Sequence, residues 1–226
     1  MKTFEKDEII DVQTLKSVLL KRKTTLPRFR LPMSQEQAVQ LMIAAYEAEV
    51  EFRHGTCRLD ENTTKAINSL AECLTKQSPK FGLMFCGTCG NGKTTMLFAL
   101  RSAISYLARA GYIQTDNSTE SSSLLVVDAK DIVSYAREPN EMKKLAARRM
   151  LAIEDLGKEA AEVLDYGNVI NPAVDLLEKR YDNQLFTVIT TNLRAREIRE
   201  KYGDRIADRF NEMLDVIIFK GNSYRT

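Results

Sequence analysis

The sequence predicts an α/β fold: a five-stranded parallel sheet flanked by helices, preceded by a small helical N-terminal region. Three observations carry this expectation. From about residue 80 onward, short apolar runs alternate with helical stretches, the pattern of a parallel sheet covered on both faces. Within that region the apolar run Leu83-Met84-Phe85-Cys86 leads into Gly87-Thr88-Cys89-Gly90-Asn91-Gly92-Lys93-Thr94, a full match to G-x-x-x-x-G-K-[ST]. Ahead of residue 55 the apolar spacing is helical instead.

Taken in order, residues 5–20 read as a weak helix. Lys21 to Pro32 is basic, contains Phe29 and carries Pro27 and Pro32, so it reads as a linker or an extended arm. Ser34-Gln35-Glu36-Gln37 has the capping-box pattern. It opens a helix with Ala38, Leu41, Met42, Ala45, Ala48 and Phe52 on its apolar face, ending near Gly55. Asn62 to Leu74 is another helical stretch. Strands are expected at 82–87, 123–128, 150–154, 185–191 and 215–219, with helices between them. Met96, Leu97, Leu100, Ala103, Ile104 and Leu107 mark the helix that follows the glycine-rich loop. Thr115 to Ser123 is polar and reads as a surface loop. The expected division is a helical N-terminal region with a basic linker over 1–55 and a nucleotide-binding core over 56–226.

Composition sets the outer limits. A hydrophobic content of 44% over 226 residues supports a substantial core, and a net charge of +2 argues neither for nor against nucleic acid. No apolar run of roughly eighteen residues is present, so no membrane span is expected. The charged start, Met1 to Glu8, lacks the apolar stretch of an export signal. The four cysteines, Cys57, Cys73, Cys86 and Cys89, are too few for a disulfide framework, and a cytoplasmic, reducing compartment fits best. Cys86 and Cys89 form a C-x-x-C, which reads either as redox chemistry or as a strand end and a loop position. The single histidine, His54, offers little to a zinc site.

The chemistry-bearing segments follow the strands. Glycines let a backbone fold around an anion, so Gly87, Thr88, Cys89, Gly90, Asn91, Gly92, Lys93, Thr94 and Thr95 are expected to cradle nucleotide phosphates. Lys93 would reach the β- and γ-phosphates and the Thr94 hydroxyl would ligate Mg²⁺. Met150-Leu151-Ala152-Ile153-Glu154-Asp155 is an apolar strand ending in two acids. One would hold the Mg²⁺ shell and the other would orient the attacking water; the alternative is a plain polar strand end. Asn192, closing Thr187-Val188-Ile189-Thr190-Thr191, could hydrogen-bond the γ-phosphate and the water without adding charge, although Asn is also a common turn residue. Arg205 and Arg209 are four apart, hence on one helix face. They suit either an arginine finger reaching another subunit or salt bridges with Asp204, Asp208 and Glu212.

Together these segments resemble the AAA+ ATPases, and within them the DnaC/IstB-type group of bacterial replicative-helicase loaders and transposition helpers. The resemblance covers about residues 60–226. It rests on the phosphate loop, on Ile153-Glu154-Asp155-Leu156-Gly157-Lys158-Glu159, Arg180-Tyr181, Thr190-Thr191-Asn192-Leu193, Tyr202-Gly203-Asp204-Arg205, Asp208-Arg209-Phe210 and the ending from Phe219 to Arg225. It implies a P-loop NTPase core that binds ATP and Mg²⁺, with Lys93 and Thr94 as Walker A contacts. Glu154 and Asp155 become the Walker B pair, Asn192 sensor 1, Arg209 the trans-acting finger with Arg205 as runner-up, and Arg225 the sensor 2 arginine. The implied partners are a replicative DNA helicase, single-stranded DNA and further copies of the chain; in the transposition-helper alternative they are duplex DNA and a transposase.

Two departures from the family pattern carry consequences. The acidic pair runs Glu154-Asp155 where Asp-Glu is usual, which implies slow hydrolysis or use of ATP as a binding switch. Seven residues follow Phe219, so little or no C-terminal lid is expected, with adenine covered by little protein or by a neighbour. By resemblance residues 1–55 would grip the helicase. The apolar face from Ala38 to Phe52 suits either a partner's groove or the chain's own core. The arm from Lys21 to Arg30 suits either single-strand contact, with Phe29 stacking, or a solvated linker. Lys130, Arg137, Lys143, Lys144, Arg148 and Arg149 form the preferred DNA contact. A nucleotide-switched adaptor remains the alternative of a different class, and a small-molecule P-loop kinase is disfavoured by the Thr-Thr-Asn strand end and the two late arginines.

Overall fold

The computed structural model describes residues 11–22, 28–113, 124–160, 163–165 and 168–220. Helix α1 (Val12–Arg22) comes first, and residues 12–20 are exposed along its length. Helix α2 (Gln35–Phe52) starts on the expected capping box: Ser34 Oγ accepts from the Gln37 N–H, and the Gln37 side chain accepts from the Ser34 N–H. Two donors that a helix start leaves without partners are satisfied in this way. Helix α3 (Glu61–Thr75) is capped by Asp60, whose carboxylate accepts from the Thr63 N–H at 2.8 Å.

The alternating region follows as β1 (Gly82–Gly87), α4 (Lys93–Arg109), β2 (Leu125–Asp128), two short helices α5 (Ile132–Ala136) and α6 (Pro139–Ala147), and β3 (Met150–Leu156). A small antiparallel pair, β4 (Val163–Asp165) and β5 (Asn168–Ile170), precedes α7 (Pro172–Asp182), β6 (Phe186–Thr191), α8 (Ala195–Met213) and β7 (Leu214–Phe219). The five longer strands form one sheet in the order β2-β3-β6-β1-β7, parallel throughout. This is the α/β architecture expected. The pair β4–β5 was not anticipated, because strands of three residues are too short for periodicity to register.

Side chains alternate across the sheet, as a strand's two-residue period requires. Leu83, Phe85, Ala152, Val188 and Ile217 face α2, α3 and α4 in one core layer. Met84, Leu151, Ile153, Ile189 and Leu214 face the layer that includes α5 to α8. All six residues of β6 are buried, the continuous run typical of a strand covered on both sides.

Two N-terminal segments turn out to be tied to this core. Ala38, Met42 and Tyr46 of α2 are buried in the same layer as α3 and α4, so the inner face of α2 packs on its own chain rather than awaiting a partner. The core thus runs unbroken across residue 55. In the arm, Arg30 donates to the carbonyls of Lys76, Ser78 and Lys80 at 2.7, 3.0 and 2.9 Å, and Phe29 packs on Phe186 in a tilted arrangement with ring centroids 4.9 Å apart. Residues 28–30 are therefore neither a solvated linker nor a free stacking platform for bases, because their donors and ring are already engaged. Lys23 to Pro27, the expected helix start at residues 5–10 and the whole of the 115–123 loop lie outside the described residues.

Candidate functional site

The strand order sets the C-terminal ends of β1, β3 and β6 side by side, while the chain leaving β1 crosses to β2 beyond two other strands. Such a switch of winding direction opens a crevice between outgoing loops, where ligands of doubly wound sheets bind.

The loop after β1 occupies this crevice. Gly90 and Gly92 adopt φ of 80° and 89°, left-handed values that glycine takes at no steric cost. Gly87 is needed for close approach: a Cβ there would lie 2.3 Å from Asn91 Nδ2 and 2.4 Å from the Phe219 carbonyl. Asn91 fastens the loop to β7 by donating to that carbonyl at 2.7 Å. Gly92 is the N-cap of α4 and makes no side-chain cap, so the first N–H groups of a 17-residue helix face the crevice with the dipole favouring an anion. Lys93 is buried and folds back on the loop, donating to Gly87 O at 2.9 Å, Thr88 O at 2.7 Å and Asn91 Oδ1 at 3.1 Å. Burial holds its pKa below the usual lysine value. A cation whose three acceptors are neutral is one that an anionic phosphate would complement.

Strand β3 supplies the acids through a bulge. Its register with β6 runs Ile153↔Ile189 and resumes at Leu156↔Thr191, one extra residue on β3. Asp155 sits in that bulge at φ 56°, a left-handed conformation that costs most L-residues roughly 1 kcal/mol or more and is best tolerated by Asn and Asp. Two buried threonines pin it. The Asp155 N–H donates to Thr190 Oγ1 at 2.8 Å, and the Thr191 hydroxyl donates to Leu156 O at 2.6 Å. Glu154 accepts from the Thr94 hydroxyl at 2.7 Å, and Asp155 opens on the crevice paired with Lys158. That pair raises the pKa of Lys158, the hydrogen bond being the largest cause. Asn192, just past β6, places Nδ2 3.4 Å from Cys89 Sγ, so its amide reaches the loop.

The crevice has a volume of about 770 Å³. The phosphate loop, Asp155, Lys158 and Asn192 form one wall; Tyr46, Val50, Arg53 and residues 55–58 form the other. The end of α2 and the turn that follows it thus share the crevice with the loop. Sequence reading missed Arg53, Arg58 and Lys158. A usable signal for Lys158 was its place three residues after Asp155, within reach across a tight turn.

The arginines lie elsewhere. Arg205 and Arg209 pair with Glu178 of α7 at 3.1 and 2.8 Å, and Arg209 also lies 3.5 Å from Asp182 with its guanidinium over the Tyr181 ring. The Arg209 Nη1 is close to Glu178 but out of line for a hydrogen bond, and finds no other. Neither arginine lines the crevice of its own chain. Arg225 lies outside the described residues. Of the C-x-x-C, Cys86 is partly buried, and burial pushes its thiol up to about 11, so it stays protonated at neutral pH. The basic stretch does not form one patch end to end: Lys130 follows the C-terminal end of β2, whereas Arg148 and Arg149 precede the N-terminal end of its parallel neighbour β3. Among the described residues, no helix is long and apolar enough to cross a membrane.

No protein-family model matches the sequence, and a search of curated proteins finds no match either. Solved structures do match. The DnaC helicase loader superimposes with a TM-score of 0.53 at 21% identity, covering 71% of this chain and 92% of that one. DnaI gives 0.55 at 18% identity over 87% and 96% of the two chains. A candidate primosome component from Streptococcus pyogenes serotype M3 gives 0.53 at 15% identity over 80% and 98%. At these identities the likeness is one of fold. The chain carries the fold that the DnaC helicase loader and DnaI carry.

Proposed function

We propose that this chain is an ATP-binding AAA+ protein that loads or remodels a replicative DNA helicase on single-stranded DNA, hydrolysing ATP at sites shared between subunits. The observation that supports it most is the 2.7 Å bond from the Thr94 hydroxyl to Glu154, which joins the phosphate loop to the acidic strand in one crevice. Lys93 turns from its loop carbonyls to the phosphates. Asn192 orients the γ-phosphate, Asp155 orients water, and Arg209, or the more exposed Arg205, reaches a neighbouring subunit's phosphates. A hydroxyl bonded to one carboxylate, with a second carboxylate on the same crevice, is a donor set that suits a hard divalent cation. Thr94, Glu154 and Asp155 would hold Mg²⁺, whose chemistry there is to neutralise phosphate charge. Tyr46, Arg53 and residues 55–58 form the wall available to the base, and Arg225 is the proposed sensor 2 residue.

Residues 1–55 form the proposed partner-binding region, ahead of an ATP-binding core at 56–226. The exposed Val12, Leu15, Val18 and Leu19 of α1 offer the apolar face that a helix needs to enter a groove. Lys143 and its basic neighbours are the proposed DNA contact. A second reading, a nucleotide-switched adaptor with weak hydrolysis, draws on the Asp155–Lys158 pair, which occupies the carboxylate that water would need.

The test is retention of the protein on an immobilised replicative helicase with and without ATP, alongside turnover measured over a range of protein concentrations. Helicase capture and a rate per subunit that rises with concentration are expected. Lys93→Ala should weaken binding of a fluorescent ATP analogue by about tenfold to a hundredfold, the worth of a charge-assisted hydrogen bond. Capture by a transposase instead would redirect the reading to the transposition helpers, and binding without turnover would favour the adaptor.

A further inference from the structure

The turn after β3 faces two ways. On the crevice side it carries Asp155 paired with Lys158. On the other side Glu159, its side chain only 2% exposed, is held by three groups. Its Oε2 accepts from the Gly157 N–H at 2.8 Å, its Oε1 accepts from the Tyr202 hydroxyl, and Lys201 Nζ lies 3.3 Å from Oε1. Lys201 also donates to the carbonyls of Gly157 and Glu159 at 2.6 and 2.8 Å. Residues 155–159 are therefore tied to the first half of α8 by a buried carboxylate and a partly exposed ammonium.

The next residue breaks the helix. Gly203 takes φ 81° and ψ 166°, breaking α8 in two. Nothing lies within 4 Å of where its Cβ would be, so the bend is not wedged by packing. Beyond it come Arg205 and Arg209, and Arg199 spans the break to Asp204 and Asp208. The loop of the crevice and the arginine-bearing half-helix are thus joined through a short continuous set of contacts.

We propose that Glu159, Lys201 and Tyr202 are positioning residues that couple occupancy of the crevice to the half of α8 that follows Gly203. The inference rests on the ATP-site reading above. Lys158 has two anionic partners to choose between, Asp155 or a phosphate on the loop it faces. A change of partner alters the pull on the turn. Glu159 cannot slide relative to Lys201 and Tyr202 without giving up hydrogen bonds in a dry environment, where unpaired polar groups are costly. Movement of the turn is therefore passed to the residue before the break. Each subunit's own nucleotide state would in this way set how it offers Arg205 and Arg209 to its neighbour.

Amide hydrogen exchange over residues 204–213, with and without a saturating fluorescent ATP analogue, tests this in wild type, Tyr202→Phe and Glu159→Gln. In wild type, nucleotide should change the exchange rate there by about threefold or more, within the range of coupling carried by contact networks. Both variants should bind the analogue within about twofold of wild type and lose the change, while Tyr202→Phe guards against a simple folding defect in Glu159→Gln. Binding in wild type with no change in exchange would overturn the coupling alone, as would a normal response in both variants. No binding by wild type would overturn the ATP reading and the coupling with it.

Discussion

Asp155 and Arg180 show how single charged side chains divide between the crevice and the core. Asp155 stands at φ 56° with its carboxylate on Lys158, and both partners are partly exposed, so the pair itself is worth about 0–1 kcal/mol. Asn tolerates the same backbone conformation. Asp155→Asn is therefore expected to melt within a few degrees of wild type while ATP turnover falls about a hundredfold or more. A calorimetric scan and a phosphate-release assay check both halves, and a large drop in melting temperature would make Asp155 structural. Arg180 is the reverse case. It is fully buried, donating to Thr187 Oγ1 and to the carbonyls of Ala146, Arg148 and Phe186 at 2.7 to 3.2 Å. Burial pulls its pKa down to about 9, which still leaves it charged at neutral pH. Arg180→Met would leave those acceptors without their donor and should cost about 3–5 kcal/mol in urea unfolding. Quoted from the sequence only as part of a family likeness, Arg180 is a staple between the start of β3 and the start of β6.

Among the elements, α8 is distinctive because it is two helices joined at Gly203. The φ and ψ there are open to glycine almost alone. Gly203→Ala is expected to destabilise by about 1–3 kcal/mol although the site has room for a methyl group. Gly111, just past α4 with φ 78° and equally open space, should lose only about 1 kcal/mol as Ala, since it ends a helix without bending one. Urea titrations of the two variants compare them directly, and equal small losses would mean that the α8 break relaxes easily. The bulge in β3 works on the same principle of local irregularity. One extra residue between Ile153 and Leu156 turns Asp155 out of the ladder while Glu154 keeps its contact with Thr94.

At the scale of the whole molecule, the N-terminal region divides at an unexpected point. Residues 12–20 are exposed, whereas Leu31, Ala38, Met42 and Tyr46 are buried against α3 and α4. Deleting residues 1–22 should leave the melting temperature within a few degrees and abolish helicase capture. Deleting 1–55 would strip those side chains from the core, of which Leu31, Met42 and Tyr46 are each worth about 2–5 kcal/mol when truncated in place, and should yield insoluble protein. Expression, melting curves and the helicase retention assay on the two deletions check this. A soluble 56–226 fragment with the wild-type melting temperature would mean that α2 is an appendage.

The sheet and the phosphate loop were legible in the residues themselves. Apolar runs buried on both faces have no polar alternation to confuse them, and Gly87 to Thr94 specifies a backbone path by glycine conformation and local spacing alone. Glu154, Asp155 and Asn192 were also legible, because each ends an apolar run and so must emerge at one edge of a parallel sheet. What the chain order concealed was every relation made across it. The wall formed by Tyr46 and Arg53, the Lys201–Tyr202 hold on Glu159 and the Glu178 partner of Arg205 and Arg209 join residues far apart in sequence. Local periodicity reports which face a residue turns inward but not which element it meets there. Only the packed tertiary structure decides that the end of α2 shares a crevice with the glycine-rich loop and that Arg205 and Arg209 pair with Glu178 outside it.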